Sequence, residues 1–197
     1  MKTSNLVLIV IIAFVLILAG CGCNSYNGLV KGDQSVQNAW SNVETNYQRR
    51  TDLYNSVVKT IQGSANFEKS TLTAVVEARA KATAVHVDVN DPNSLAQFQQ
   101  AQGQLQGAMS RLLAVAEAYP QLQTTKAFQD FQAQIEGTEN RINVARRDYN
   151  DAVNKYNLSV RTFPNSLFAG IFHFQTKAYY KADAGSDKAP DINFDTK

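Results

Sequence analysis

Cysteine is almost missing from this 197-residue chain; Cys21 and Cys23 are the two that occur. No disulfide framework, cysteine metal site or cysteine nucleophile can therefore belong to anything beyond residue 23. Histidine is equally scarce, with His86 and His173 alone. A di-iron bundle would need Glu-x-x-His pairs; the positions three before the histidines hold Thr83 and Gly170. There is no GxSxG, no glycine-rich phosphate loop, no HExxH and no Walker lysine, the motifs by which common chemistries are read. Positive charge is not concentrated either: the formal net charge is +2, with no long basic run and no basic–aromatic cluster. A nucleic-acid partner is not expected, because phosphate binding needs clustered Lys and Arg. No catalytic, cofactor-binding or metal-ligating residue emerges, and the expectation is a protein that is not an enzyme and takes no cofactor.

What is present begins at the N-terminus. Leu6 to Ala19 reads LVLIVIIAFVLILA, an uncharged apolar run preceded by Lys2. Its length fits the apolar region of a secretory signal and is short for a span of about 20 residues. Leu18-Ala19-Gly20-Cys21 follows at once and resembles a bacterial lipobox, making Cys21 a lipidation candidate. An uncleaved anchor is the alternative, since Gly20 to Cys23 lengthens the apolar stretch. Either way Lys2 is expected to stay inside and the remainder to be exported, following the positive-inside tendency.

The body carries apolar residues at alternating spacings of three and four. One segment places Val36, Trp40, Val43, Tyr47, Arg50, Tyr54, Val57 and Ile61 on one helix face, broken only by Arg50. Another runs Leu95, Phe98, Gln102, Leu105, Met109, Leu112, Ala116 and Tyr119, with Gln102 as exception. A third runs from Phe128 through Ile135, Thr138, Ile142, Tyr149 and Tyr156. Leu72, Val75, Val76, Arg79 and Ala82 form a weaker stripe. Such spacing predicts helices, not strands, and about 3.5 residues per repeat predicts coiled-coil-like packing.

Punctuation agrees. Asp33 can cap the first helix and Gly63 end it; Asn66 can cap the second. Residues 86–90 read as a loop, Asp91-Pro92 as cap and first helical residue of the third. Pro120 stops the third, Thr124 or Thr125 starts the fourth, and Phe163-Pro164 closes it. The predicted helices span 33–63, 66–85, 92–119 and 124–161. With short loops these make an all-α, elongated, antiparallel up-down four-helix bundle over 33–164. It sits behind a signal or anchor segment at 1–21 and a short linker at 22–32. An aromatic-rich docking segment follows at 165–180 and a flexible polar tail at 181–197.

Three polar positions form a candidate structural core: Arg50 and Thr138 within stripes, and Glu139 beside one. Arg50 and Glu139 are expected to meet and set helix register, since buried polar residues can specify pairing. The alternative has the Arg50 stem covering the core with its head in water. In the tail, Phe168, Phe172, Phe174, Tyr179 and Tyr180 form a candidate interaction patch, read either as docking on the bundle or as meeting a membrane or partner. Tyr149-Asn150 and Tyr156-Asn157 recur seven apart, read as packed tyrosines or as a peptide-binding ladder.

The same residues resemble the LemA family of bacterial membrane-associated proteins, over nearly the whole chain after the anchor. Tyr26 to Val30, Ala39-Trp40, Arg49 to Leu53, Ala78 to Ala80, Glu117 to Pro120, Thr138 to Ile142, Tyr149 to Val153 and Phe163-Pro164 carry the likeness. Two features depart from the family pattern: Asn55-Ser56 stands where Pro-Asn is usual, and the lipobox differs from an uncleaved span. The resemblance implies a long four-helix bundle behind one membrane segment, with no established enzymatic activity. The functional expectation is a membrane-anchored, non-enzymatic scaffold or interaction module of the cell envelope. It would hold membrane lipid through its N-terminus and bind an envelope protein partner. A homo-oligomeric structural protein, or an accessory subunit of an envelope enzyme, is the alternative.

Overall fold

The computed structural model describes residues 3–63 and 68–181, with side chains from residue 8 onward apart from 14 and 18. The chain is all-helical, with no strand among the described residues. Helix α1 runs unbroken over Thr3–Gln62, about 90 Å at 1.5 Å per residue. Then come α2 (Lys69–Ala84), α3 (Pro92–Ala116), a single turn α4 (Pro120–Gln123), α5 (Lys126–Arg161) and short α6 (Asn165–Ile171). The predicted N-cap Asn66 lies outside the described residues, as does the expected polar tail beyond Lys181.

Local chemistry explains most boundaries. Gly63 follows the last residue of α1. Asp91 caps α3, its carboxylate accepting from the Asn93 N–H at 2.9 Å, with Pro92 at the first helical position. Thr125 caps α5 by accepting from Phe128 N–H. Pro120 does not end α3 directly. That helix stops at Ala116, and Pro120 opens α4, because a proline suits a first turn whose N–H groups have no helical partner.

The main difference from expectation lies at 22–32. These residues are helical and belong to α1, so the segment is not a linker and Asp33 is not a cap. Two glycines there act as notches. A Cβ at Gly22 would lie 3.0 Å from the Phe168 ring, and one at Gly32 would lie 3.0 Å from the Tyr156 ring. The rings fill the notches and tie this stretch to α5 and α6. Asp33 instead pairs with Lys177 Nζ at 2.5 Å.

The body part of α1 packs antiparallel to α5. Trp40 stacks edge-on against Tyr149, and Tyr54 sits against Phe131 further along. α2 and α3 form the other close pair. The four stripes fill two apolar clusters. One gathers Leu29 to Tyr47 of α1 with Leu95, Phe98 and Ile142 to Val160. The other gathers Tyr54 to Ile61 with α2, Ala101 to Ala116, Phe128 and Phe131. Val76 departs from its expected stripe and is exposed. Residues Leu8 to Ile17 project beyond the body with their described side chains exposed.

Candidate functional site

Between the two apolar clusters lies a polar layer centred on Arg50. Its side chain is 1% exposed. One guanidinium nitrogen donates to Glu139 Oε1 at 3.2 Å; the other donates to Gln102 Oε1 at 2.7 Å and Gln102 O at 3.4 Å. The guanidinium carbon stands 4.7 Å from the Tyr47 ring centre and 5.8 Å from that of Tyr54. A charge removed from water needs such a shell of acceptors and π faces. Arg50 Nε is buried without a hydrogen-bond partner. Glu139 is a third exposed, so the pair opens to solvent on one side. Burial pushes the Tyr54 hydroxyl pKa up to about 12, with Arg50 opposing and Glu139 assisting.

Of the three predicted polar core residues, Arg50 and Glu139 meet. Thr138 is buried but returns its hydroxyl to Gln134 O on its own helix at 2.8 Å. Gln102, visible in the sequence only as a break in a stripe, is Arg50's nearest acceptor. One turn before Arg50 on α1, the Tyr47 hydroxyl accepts from Arg146 Nε at 2.9 Å, and the Arg146 guanidinium carbon lies 4.5 Å from the Tyr180 ring centre. The Tyr47 and Tyr180 hydroxyls are 2.6 Å apart. A surface groove of about 400 Å³ opens beside this layer, lined by Glu44, Gln48, Thr51, Thr83, Phe98 and Gln102 among others.

The second constellation is a ladder of asparagines on α5. Asn157 donates to Lys177 O at 3.0 Å and accepts from Lys177 N–H at 2.8 Å. Asn150 does the same for Tyr180, donating to its carbonyl at 3.0 Å and accepting from its N–H at 2.8 Å. Tyr149 OH donates to Ala178 O between them at 2.8 Å. Two helical turns advance about 10.5 Å, and three residues of extended chain about 10 Å. The seven-residue Tyr-Asn repeat therefore matches the backbone repeat of an extended peptide, and that peptide is this chain's own 174–181. Burial raises the Tyr149 and Tyr156 hydroxyls to about 12, the Asp33 carboxylate adding to the effect on Tyr156.

The predicted interaction patch is divided by this docking. Tyr180 is buried and Phe174 packs against the body. Phe168 covers Gly22. Phe172 and Tyr179 are surface residues, Phe172 standing edge-on to Tyr26 at 4.9 Å and Tyr179 OH donating to Asn154 Oδ1 at 3.3 Å. Cys21 and Cys23 are exposed, unpaired and inside α1. Among the described residues no group of three or more His, Cys, Asp or Glu is placed to hold a metal ion.

The chain is 25% identical, over a 181-residue alignment, to magnetosome protein MamQ 2 of Paramagnetospirillum magneticum, covering 82% of this chain and 66% of the relative. It is 26% identical over 156 residues to the protein LemA of Metamycoplasma hominis, covering 79% and 68%. Magnetosome protein MamQ of Magnetospirillum gryphiswaldense is 23% identical, with 82% and 66% covered. The chain thus spans just under two thirds of the length of the MamQ relatives. The LemA family matches residues 39–194, which includes the polar layer and the asparagine ladder, and the chain belongs to the LemA family.

Proposed function

We propose that this protein is a membrane-anchored scaffold that carries a rigid helical body at a fixed height and presents its faces to a protein partner in the cell envelope. The observation that supports the reading is the continuity of α1. One helix begins in the apolar run, passes Cys21 and Asn24 without a break, and becomes the longest element of the body. A helix whose body part is supported by α5 and α6 transmits position from the anchor without a hinge. The two cores and the asparagine ladder fix the remaining elements on it. The groove beside the polar layer, with Gln48 and Thr83 on its rim, is the surface assigned to a partner. Its mixture of polar rim and apolar floor resembles protein interfaces more than small-molecule pockets.

Photo-crosslinking in intact cells tests this. Photoreactive residues at Gln48 and Thr83 are expected to yield a discrete adduct with another envelope protein, and the same residue at exposed Leu158 to yield none. Absence of adducts from both groove positions refutes the scaffold reading. An adduct with a second copy of the chain would favour the homo-oligomeric alternative.

A further inference from the structure

The outer face of α6 is the part of the molecule that the body's packing leaves unused. Phe163 is 80% exposed, Leu167 59% and Ile171 65%. Leu167 and Ile171, four apart, fall on one face of α6; Phe163 stands in the turn just before the helix, and Phe172, 45% exposed, extends the surface at its end. The stripe cannot simply turn inward, because the opposite face is fixed. Phe168 fills the Gly22 notch and Ala169 is buried. The helix ends in a Schellman turn: Phe174 N–H donates to Ala169 O at 2.9 Å, with His173 at φ 59° in the place usually held by glycine.

Its position along α1 identifies what covers it. Gly22 lies three residues beyond Ala19, the end of the apolar run, and Asn24 is the first strongly polar residue after it. Tyr26, in contact with Phe172, marks the same level. The exposed apolar side chains of Leu8 to Ile17 continue this surface toward the N-terminus. Arg161, exposed, is the last residue of α5 and stands two residues before Phe163 in the chain. Aromatic and aliphatic groups with a cation close by in the chain, at the boundary between an apolar run and a polar body, have the composition of an element lying in the headgroup–acyl interface.

We propose that α6 is seated in the surface of the same bilayer that holds α1, so that the chain touches lipid twice and its body is fixed in rotation as well as in height. This inference rests on the membrane-anchored reading above. The ligand is bilayer lipid, taken up by Phe163, Leu167, Ile171 and Phe172.

Tryptophan quenching in the reconstituted full-length chain tests it. Vesicles would contain equal phosphatidylcholine and phosphatidylglycerol, with bromines near the carbonyl end or near the terminus of the acyl chains. The native Trp40 is buried in the body and supplies a constant background. Leu167→Trp is expected to lose about twice as much emission to the shallow bromines as to the deep ones, in keeping with a depth of about 5–10 Å. Ile12→Trp reports the anchor, and Val144→Trp, exposed on α5, reports the body. Quenching at 12 with none at 167 overturns the α6 proposal and leaves the anchor standing. No quenching at either position overturns both. Equal quenching at 144 and 167 also overturns the proposal, because the contact would then not be specific to α6.

Discussion

Removing Arg50 and removing Glu139 are unequal perturbations, although they form one ion pair. Arg50 is buried and holds Gln102 and two tyrosine rings as well as the carboxylate. Arg50→Ala strands the Gln102 acceptors and opens a void, and it should cost about 3–5 kcal/mol in chemical denaturation. Glu139 is partly solvated, and Glu139→Ala leaves Arg50 with Gln102 and the π faces but no counter-ion, so it should cost less, about 1–3 kcal/mol. The exchange Arg50→Glu with Glu139→Arg should recover no more than that smaller sum, because a carboxylate at 50 would face the Gln102 carbonyl and the π faces of Tyr47 and Tyr54. Full recovery of stability would mean that the pair alone defines the layer. The breaks at Arg50 and Gln102 in two apolar stripes were legible from the sequence. Their union was not, because periodicity gives the face a residue occupies and says nothing of which opposite residue it meets. Thr138 shows the same limit: it occupies a stripe, but a threonine hydroxyl can satisfy itself on the preceding turn.

At the scale of elements, helix periodicity located α3 and α5 closely and the body part of α1, while the first stripe, beginning at Val36 behind a candidate cap at Asp33, left 22–32 as a linker. That stretch is helical because α5 and α6 pack on it, and its glycines separate into two kinds. Gly28 has open space around a would-be Cβ, whereas Gly32 meets the buried Tyr156 ring. Gly28→Ala should therefore stabilise the protein by up to about 1 kcal/mol through helix propensity. Gly32→Ala should gain nothing or lose stability; equal gains at both sites would show that Tyr156 does not need the notch. The asparagine ladder was visible only as a repeat, since an extended segment has no period of its own to announce it. Asn157→Ala removes a donor and an acceptor from the Lys177 backbone and should cost about 1–3 kcal/mol of tail docking. In amide exchange the Lys177 N–H should lose protection first, with Tyr180, held by Asn150, affected less. Unchanged exchange at Lys177 would show that the tail is held by other contacts, such as Lys177 to Asp33 and Asn90.

For the molecule as a whole, both apolar clusters and the layer between them carry tyrosines whose hydroxyls resist ionisation, and this sets the alkaline limit of the fold. Tyr54, Tyr149 and Tyr156 are each raised from 10.0 to about 12, burial being the first cause in all three. A tyrosine is neutral when protonated. Between pH 10 and 12 the unfolded chain releases these protons while the folded chain keeps them, so the unfolded state binds fewer and stability falls with rising pH. Below pH 10 both states hold the protons, and these groups contribute no slope. Folded stability is thus expected to be insensitive to these tyrosines up to about pH 10 and to decline steeply above it. Because the three residues sit in α1 and α5 on both sides of Arg50, the loss should appear as one cooperative transition rather than as release of a single element. Tyr54→Phe deletes one titrating group and should reduce the alkaline slope by about a third, with Tyr149→Phe doing the same while also surrendering its bond to Ala178 O. Circular dichroism of the detergent-solubilised chain, titrated with denaturant at several alkaline pH values, measures this directly. A slope unchanged by Tyr54→Phe would mean that its hydroxyl reaches water and that the layer around Arg50 is wetter than its burial implies.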